Sequence, residues 1–302
     1  MAKIKTILGF SLLAVSLAAP ALAQQGPDFS KTVMQATDLG HGLTALAGTG
    51  GNITVAVGSD AIIMVDTEYA PLHDKIKAKV TELSALPIKY VIDTHYHGDH
   101  TGGNAAFAKD GAILVAHENV GKRLSNPPPG ANGQPGMPAP KDALPVQTYG
   151  GQGTEVKIPG QRAELVHLAP AHTDGDTIVF WPDADVISTG DIVSSASYPN
   201  IDVVAGGGID GMIAATDFII AHADAKTKIV PGHGDVTDKN GVIAYRNMLA
   251  TARSRIAKAK AGGMSEDQVA KANLLPDLDK YWKIPGNGAS ERFPINVYRS
   301  IR

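Results

Sequence analysis

The chain has 302 residues, 43% of them apolar and 19% charged, with a formal net charge of −3 and no cysteine. That length and balance suit a folded protein with a sizeable core and argue against intrinsic disorder. The weak net charge, with no long run of one sign, argues against nucleic acid as the main partner. Without cysteine there is neither a disulfide nor a thiolate, so any metal site must be built from His and carboxylates.

The first stretch reads as a targeting segment. Lys3 and Lys5 precede an apolar run that ends in Ala21, Leu22 and Ala23, a small-x-small cleavage pattern. Residues 1–23 are therefore expected to be a signal peptide, with Gln24 as the mature start. Losing Lys3 and Lys5 takes the formal charge from −3 to −5. No cysteine stands at the cleavage position and no Arg pair precedes the apolar run. The expectation is a periplasmic or secreted protein using the general secretory route, with no membrane attachment after cleavage.

From Gly42 onward, "LTALAG", "NITVAVG" and "AIIMVD" read as short strands separated by turn residues. Leu72, Ile76, Val80 and Leu83 recur at helical spacing, and Pro87 is expected to stop that helix. "IKYVID" and "ILVAH" are the next strands. Residues 125–145 are rich in Pro and Gly and predict no regular element. They read either as a linker between two halves or as a loop over an active-site rim.

In the second half "TEVKI", "AELVHLA", "TIVFW", "DVIS" and "TKIVPGHG" read as strands. Ile209, Met212, Ile213, Thr216 and Ile220 predict one helix. Val242, Tyr245, Leu249, Ala252 and Ile256 predict a longer one. This style of strands then helices, twice over, indicates an α/β protein with helices on the outside of its sheets. The expected organisation is a single domain over residues 24–302, of two αββα halves with the Pro/Gly-rich loop between them.

One stretch carries the chemistry. "VIDTHYHGDHTGGN", residues 91–104, puts His95, His97, Asp99 and His100 within six positions at a strand end. Residues i and i+2 of a strand share a face, so His95 and His97 can aim at one point. Gly98 lets the backbone turn before Asp99 and His100. So many polar groups fit a packed core only if something pairs them. Three other strand ends offer the same type of residue beside small neighbours: His172 in "LAPAHTDGD", Asp191 in "ISTGD" and His233 in "IVPGHG".

This ordered set resembles the metallo-β-lactamase superfamily, over roughly residues 40–255. The resemblance implies an αββα sandwich with a dinuclear zinc site at one edge. By motif position His95, His97 and His172 would hold one zinc, and Asp99, His100 and His233 the other. Asp191 would bridge them or bind the second. Imidazoles and carboxylates suit zinc, although iron or manganese would also accept them, and an open position for water makes hydroxide available near neutral pH. Asp99 would orient that nucleophile or take its proton, which makes it the candidate catalytic residue. Asp66, ending "IIMVD", reads as support for a histidine ring. His41, His73, His117, His167 and His222 lack ligand spacing; His73 and His222 are expected on helix surfaces, and His117 follows a strand.

Within the superfamily, "HTDGDTIVFWPDADVISTGD" is similar to the matching stretch of subclass B1 β-lactamases. Two departures stand out. Asp191 occupies the position of the B1 cysteine, and Ser194 that of the lysine holding the lactam carboxylate. Asn200 is a candidate polar contact, and the glycines at 206 to 208 are candidate anion-binding amides. The resemblance implies an exported dinuclear zinc hydrolase with β-lactamase activity on a small-molecule substrate. The alternative is a thioester or lactone hydrolase of the glyoxalase II kind. Less favoured are a mononuclear iron sulfur dioxygenase and a non-catalytic metal binder.

Overall fold

A computed structural model describes residues 28–129, 133–168 and 170–301. The expected signal peptide lies outside the described residues. Within them, no helix is long and apolar enough to cross a membrane.

Two sheets stack face to face. The first contains β1 (Gln35–Gly40), β2 (Leu43–Ala47), β3 (Ile53–Val57), β4 (Ile62–Val65), β5 (Ile88–Ile92), β6 (Ile113–His117) and β7 (Gln147–Tyr149), in that spatial order. The second contains β8 (Gly153–Ile158), β9 (Gln161–His167), β10 (Thr177–Trp181), β11 (Val186–Ser188) and β12 (Lys228–Val230). The pairs β4–β5, β5–β6, β6–β7 and β11–β12 are parallel. The Pro/Gly-rich loop does not mark the passage from one sheet to the other. β7 follows it and still pairs with β6, so the chain crosses at residues 150–152. The described part of the loop instead sends Ala139 and Leu144 onto the small cluster of Ala116, Val120 and Leu124, against which Tyr96 also packs.

Strand alternation explains the layering. In β4, Ile63 and Val65 face the second sheet, where they join Leu165, Val179 and Trp181. Ile62 and Met64 face outward onto Ile76 and Val80 of α1 (His73–Leu83) and Phe107 of α3 (Asn104–Lys109), which flanks the short α2 (Gly98–Thr101). Ser84 breaks α1 before Pro87 by adopting an extended backbone. After α4 (Glu118–Ser125), the outer face of the second sheet is covered by α5 (Ile209–His222), α6 (Lys239–Ala261), α7 (Glu266–Lys271), α8 (Pro276–Trp282) and α9 (Gly288–Ser300). The five apolar positions expected to mark α6 are all buried. On α5, Ile209, Met212 and Thr216 are buried together with Ile219, while Ile213 and Ile220 pack against the same core from its margin. Each buried large side chain contributes about 1.5–3 kcal/mol. The layers are thus α, β, β, α. Thr54 Oγ1 and Ser188 Oγ meet at 2.8 Å and tie the two sheets where the site begins.

Candidate metal centre

Parallel neighbours place their carboxyl ends together. At that edge β4 leads into Asp66, β5 into His95 and His97, β11 into Asp191, and β12 into His233. His172 comes from the connection between β9 and β10. His97 caps α2 with an extended backbone, so Asp99 and His100 turn back toward the same point.

Seven side chains converge there in two groups: His95, His97, His172 and Asp191, then Asp99, His100 and His233. His97 Nδ1 is 3.1 Å from His95 Nε2 and 2.9 Å from His172 Nε2. Asp191 joins the groups. Its Oδ2 lies 3.5 Å from His172 Nε2 and 3.9 Å from His95 Nε2. Its Oδ1 lies 3.1 Å from His100 Nε2 and 3.3 Å from His233 Nε2. Asp99 Oδ2 is 3.3 Å from His233 Nε2.

The outward nitrogens are already committed. His100 Nδ1 meets Asp66 Oδ2 at 2.7 Å, and His172 Nδ1 meets the Asn200 carbonyl at 2.5 Å. His97 Nε2 meets Asp202 Oδ2 at 3.0 Å. Thr94 Oγ1 donates to Asp66, which leaves it to accept from His95 Nδ1 at 3.0 Å. A neutral imidazole with its outer N–H donating presents a lone pair inward. Lone pairs therefore face one another across about 3 Å. Asp191 Oδ1 is buried and receives no hydrogen bond. His100 Nε2 and His233 Nε2 crowd it at 3.1 and 3.3 Å. Shared cations resolve both features, so the donor set fits metal.

The charges agree. Burial holds His95 well below its ordinary value and pulls His172 down to about 4, which keeps both rings neutral. The Asp191 carboxylate raises His233 to about 10 against its burial. His100 is buried, yet Asp191, Asp66 and Asp99 hold it well above the usual imidazole range. Asp99 is half-buried, which opposes its ionisation, yet His100 and His233 lower it to about 2. Where the carboxylates gather, positive charge is favoured.

Several partners went unread in the sequence. Asp202 accepts from Tyr96 Oη at 2.5 Å as well as from His97; its only local signal is an acid two residues past Asn200. Asn200 does line the cavity, but what it offers His172 is its backbone carbonyl. Buried Asp176 accepts from the His172 and Thr173 amides and fixes that turn. Glu68, buried and at φ 51°, accepts from the amides of Thr49 and Gly50. The loop it holds brings Gly51 against the His100 ring, where a Cβ would sit 2.1 Å from Cε1.

Other expectations shift. His117 stacks on His167 at 3.7 Å, and neither belongs to the two groups. His73 is half-buried, bonded to Asp74 and Asp110, rather than lying on a helix surface. His222 and His41 are exposed. The amides of Gly206, Gly207 and Gly208 donate to Val203, Asp202 and Ala171 carbonyls, so they offer nothing to an anion.

The site opens into a cavity of about 840 Å³ between the Thr49 and Gly50 loop, the 194–200 segment and the connection before α9. Asp99, Asp191 and His233 lie on its wall. Among the described residues no Lys or Arg lines it.

The family model described as "Metallo-beta-lactamase superfamily" matches residues 46–233, more than half of the chain. The chain belongs to the metallo-β-lactamase superfamily. All seven clustered side chains lie within that span. The DIM-1 metallo-beta-lactamase crystal structure superposes with a TM-score of 0.59 at 16% identity, covering 74% of this chain and 100% of that one. The layers described above are thus the metallo-β-lactamase fold.

Among curated superfamily relatives, the 2,4-dinitroanisole O-demethylase subunit alpha of Nocardioides sp. (strain JS1661) is 30% identical over 151 residues. The match is 49% of this chain and 43% of that protein, so the chain spans less than half of that relative's length. The metallo-beta-lactamase type 2 of Bacillus cereus is 23% identical over 63% of this chain and 70% of that protein.

Proposed function

We propose that this protein is an exported, dinuclear zinc hydrolase that cleaves acyl bonds in small molecules, with the β-lactam amide as the leading substrate bond. One observation carries the reading. Asp191 directs one oxygen to each imidazole group, with Asp99 beside His233 at the cavity wall. His95, His97 and His172 would hold one metal and Asp99, His100 and His233 the other, with Asp191 shared. Zinc bound there supplies an activated water near neutral pH and polarises the acyl oxygen.

The chain's own residues do the rest. Asp99, kept ionised, orients the water and takes its proton. Asp66, Thr94, Asp202 and the Asn200 carbonyl fix the rings against rotation. The N-terminal cleavage pattern supports export.

A second reading, an ester or lactone hydrolase of the same fold, is favoured by the cavity. A β-lactam carboxylate finds no cationic side chain among the described lining residues, and Ser194 stands where the B1 resemblance calls for lysine. Weak binding of β-lactams is expected on that ground.

The test uses zinc-loaded protein, chelated protein and Asp99→Asn against a chromogenic cephalosporin and an uncharged lactone. Turnover lost on chelation, restored by zinc and absent in Asp99→Asn supports the hydrolase. Preference for the lactone supports the second reading. One tightly bound iron and no zinc would replace both with an iron oxygenase.

A further inference from the structure

The cavity offers a substrate no lysine or arginine among the described residues, so its neutral donors matter more. Several are already committed. Tyr198 Oη donates to Asp279 at 2.9 Å, and Ser197 Oγ to the Tyr198 carbonyl at 3.0 Å. Asn52 Nδ2 donates to the carbonyls of Pro231 and Gly234. Tyr69 differs. It lines the same cavity as Asp99, yet its hydroxyl has no hydrogen-bond partner among the described residues.

Its position is fixed nonetheless. The ring packs on Phe29 with centroids 5.1 Å apart, and the Tyr69 carbonyl accepts from the Leu72 amide at 2.9 Å. Just before it, buried Glu68 grips the Thr49 and Gly50 amides that form the adjoining wall. The phenol is thus preorganised at the cavity surface at little further cost in ordering.

We propose that Tyr69 is a catalytic residue that donates a hydrogen bond, and then its proton, to the leaving group of the acyl substrate. The proposal rests on the hydrolase reading above. The proton balance closes within the site. Water adds its oxygen to the acyl carbon as Asp99 takes the proton. The carbon–heteroatom bond breaks with its electron pair on the leaving atom, which collects the Tyr69 proton. The proton on Asp99 then returns to the phenolate.

A phenol ordinarily ionises well above neutral pH, at about 10, so at pH 7 it is a donor. Such a phenol passes its proton readily only to a more basic atom. Alkoxides and amide nitrogens qualify and thiolates do not. The donor therefore selects esters, lactones and lactams over thioesters.

The experiment compares zinc-loaded wild type with Tyr69→Phe, which keeps the ring against Phe29. For an alkyl lactone, kcat should fall about 100-fold with KM within about 3-fold, whereas for 4-nitrophenyl acetate the fall should be under about 3-fold. Zinc content should not change. Equal losses across both leaving groups, or no loss, overturn the proposal.

A calorimetric arm is independent of turnover. Methylphosphonate, a tetrahedral anion, should bind zinc-loaded Tyr69→Phe about 10-fold more weakly than wild type, and equal affinities overturn the donor role. Wild type that binds the phosphonate with this discrimination but hydrolyses neither ester would sink the hydrolase reading and with it the catalytic role, leaving Tyr69 as an anion-binding donor alone.

Discussion

Asp66 Oδ2 lies 2.7 Å from His100 Nδ1, and both side chains are buried. The same carboxylate accepts from the Thr94 amide and hydroxyl, both at 2.8 Å. One acid at the end of β4 therefore orients ligands at the end of β5. Its backbone is left-handed, φ 64°, a conformation asparagine also adopts. Asp66→Asn should keep the fold yet weaken metal binding at the His100 group about 10- to 100-fold. Competition with a chromophoric chelator measures this. Unchanged affinity would show that the Asp66 charge is dispensable for aiming His100.

Gly232 leaves room for the shared carboxylate. A Cβ there would stand 2.1 Å from Asp191 Oδ1 and 2.7 Å from the Gly190 carbonyl carbon. Backbone on one side and a buried carboxylate on the other leave little to give. Gly232→Ala should cost about 1–3 kcal/mol of stability in the metal-free protein, and metal stoichiometry should drop. Urea unfolding and metal analysis read the two effects. Native stability with full stoichiometry would mean that the loop moves aside freely.

The pH dependence follows from His233. Its value is raised from 6.5 to about 10 by Asp191, so protonation stabilises the metal-free fold. That contribution is fully present below pH 6.5 and is lost as pH rises through about 10. Metal needs the neutral ring, so loading at pH 7 should release protons and apparent affinity should rise with pH. Calorimetry in buffers of different ionisation enthalpy counts the protons. No release, or affinity falling as pH rises, would contradict the assignment of His233 as a ligand.

Ser194 lines the cavity but is itself only 5% exposed, with its hydroxyl accepting from the Ala196 and Ser197 amides at 3.3 Å. A lysine there would have to extend its stem toward the cavity and place its ammonium in the open space. Ser194→Lys should lower KM for a cephalosporin about tenfold, the equivalent of one charge-assisted hydrogen bond. KM for an uncharged lactone should stay the same. A cephalosporin KM that does not improve would show that a missing cation is not what limits carboxylate binding.

Much of the frame was legible locally. "TIVFW" and "ILVAH" are strands over the very residues of β10 and β6. β1 and β7 were not, because an exposed edge strand and a three-residue strand carry no apolar alternation. Helices α7 to α9 are short or carry an internal proline, so their periodicity is faint beside that of α6.

The sequence by itself determined the types of donor and their address. His95, His97, Asp99, His100, His172, Asp191 and His233 each follow an apolar stretch and sit beside small residues or turn formers. The tertiary structure alone decided how they meet. His97 is held by Asp202, 105 positions away, and Thr54 reaches Ser188 across 134. Which oxygen of Asp191 faces which group, and which hydroxyl in the cavity lacks a partner, depend on how two sheets stack and which rotamers that stacking permits. Such contacts are set by long-range packing, and no periodicity of two or 3.6 residues encodes them.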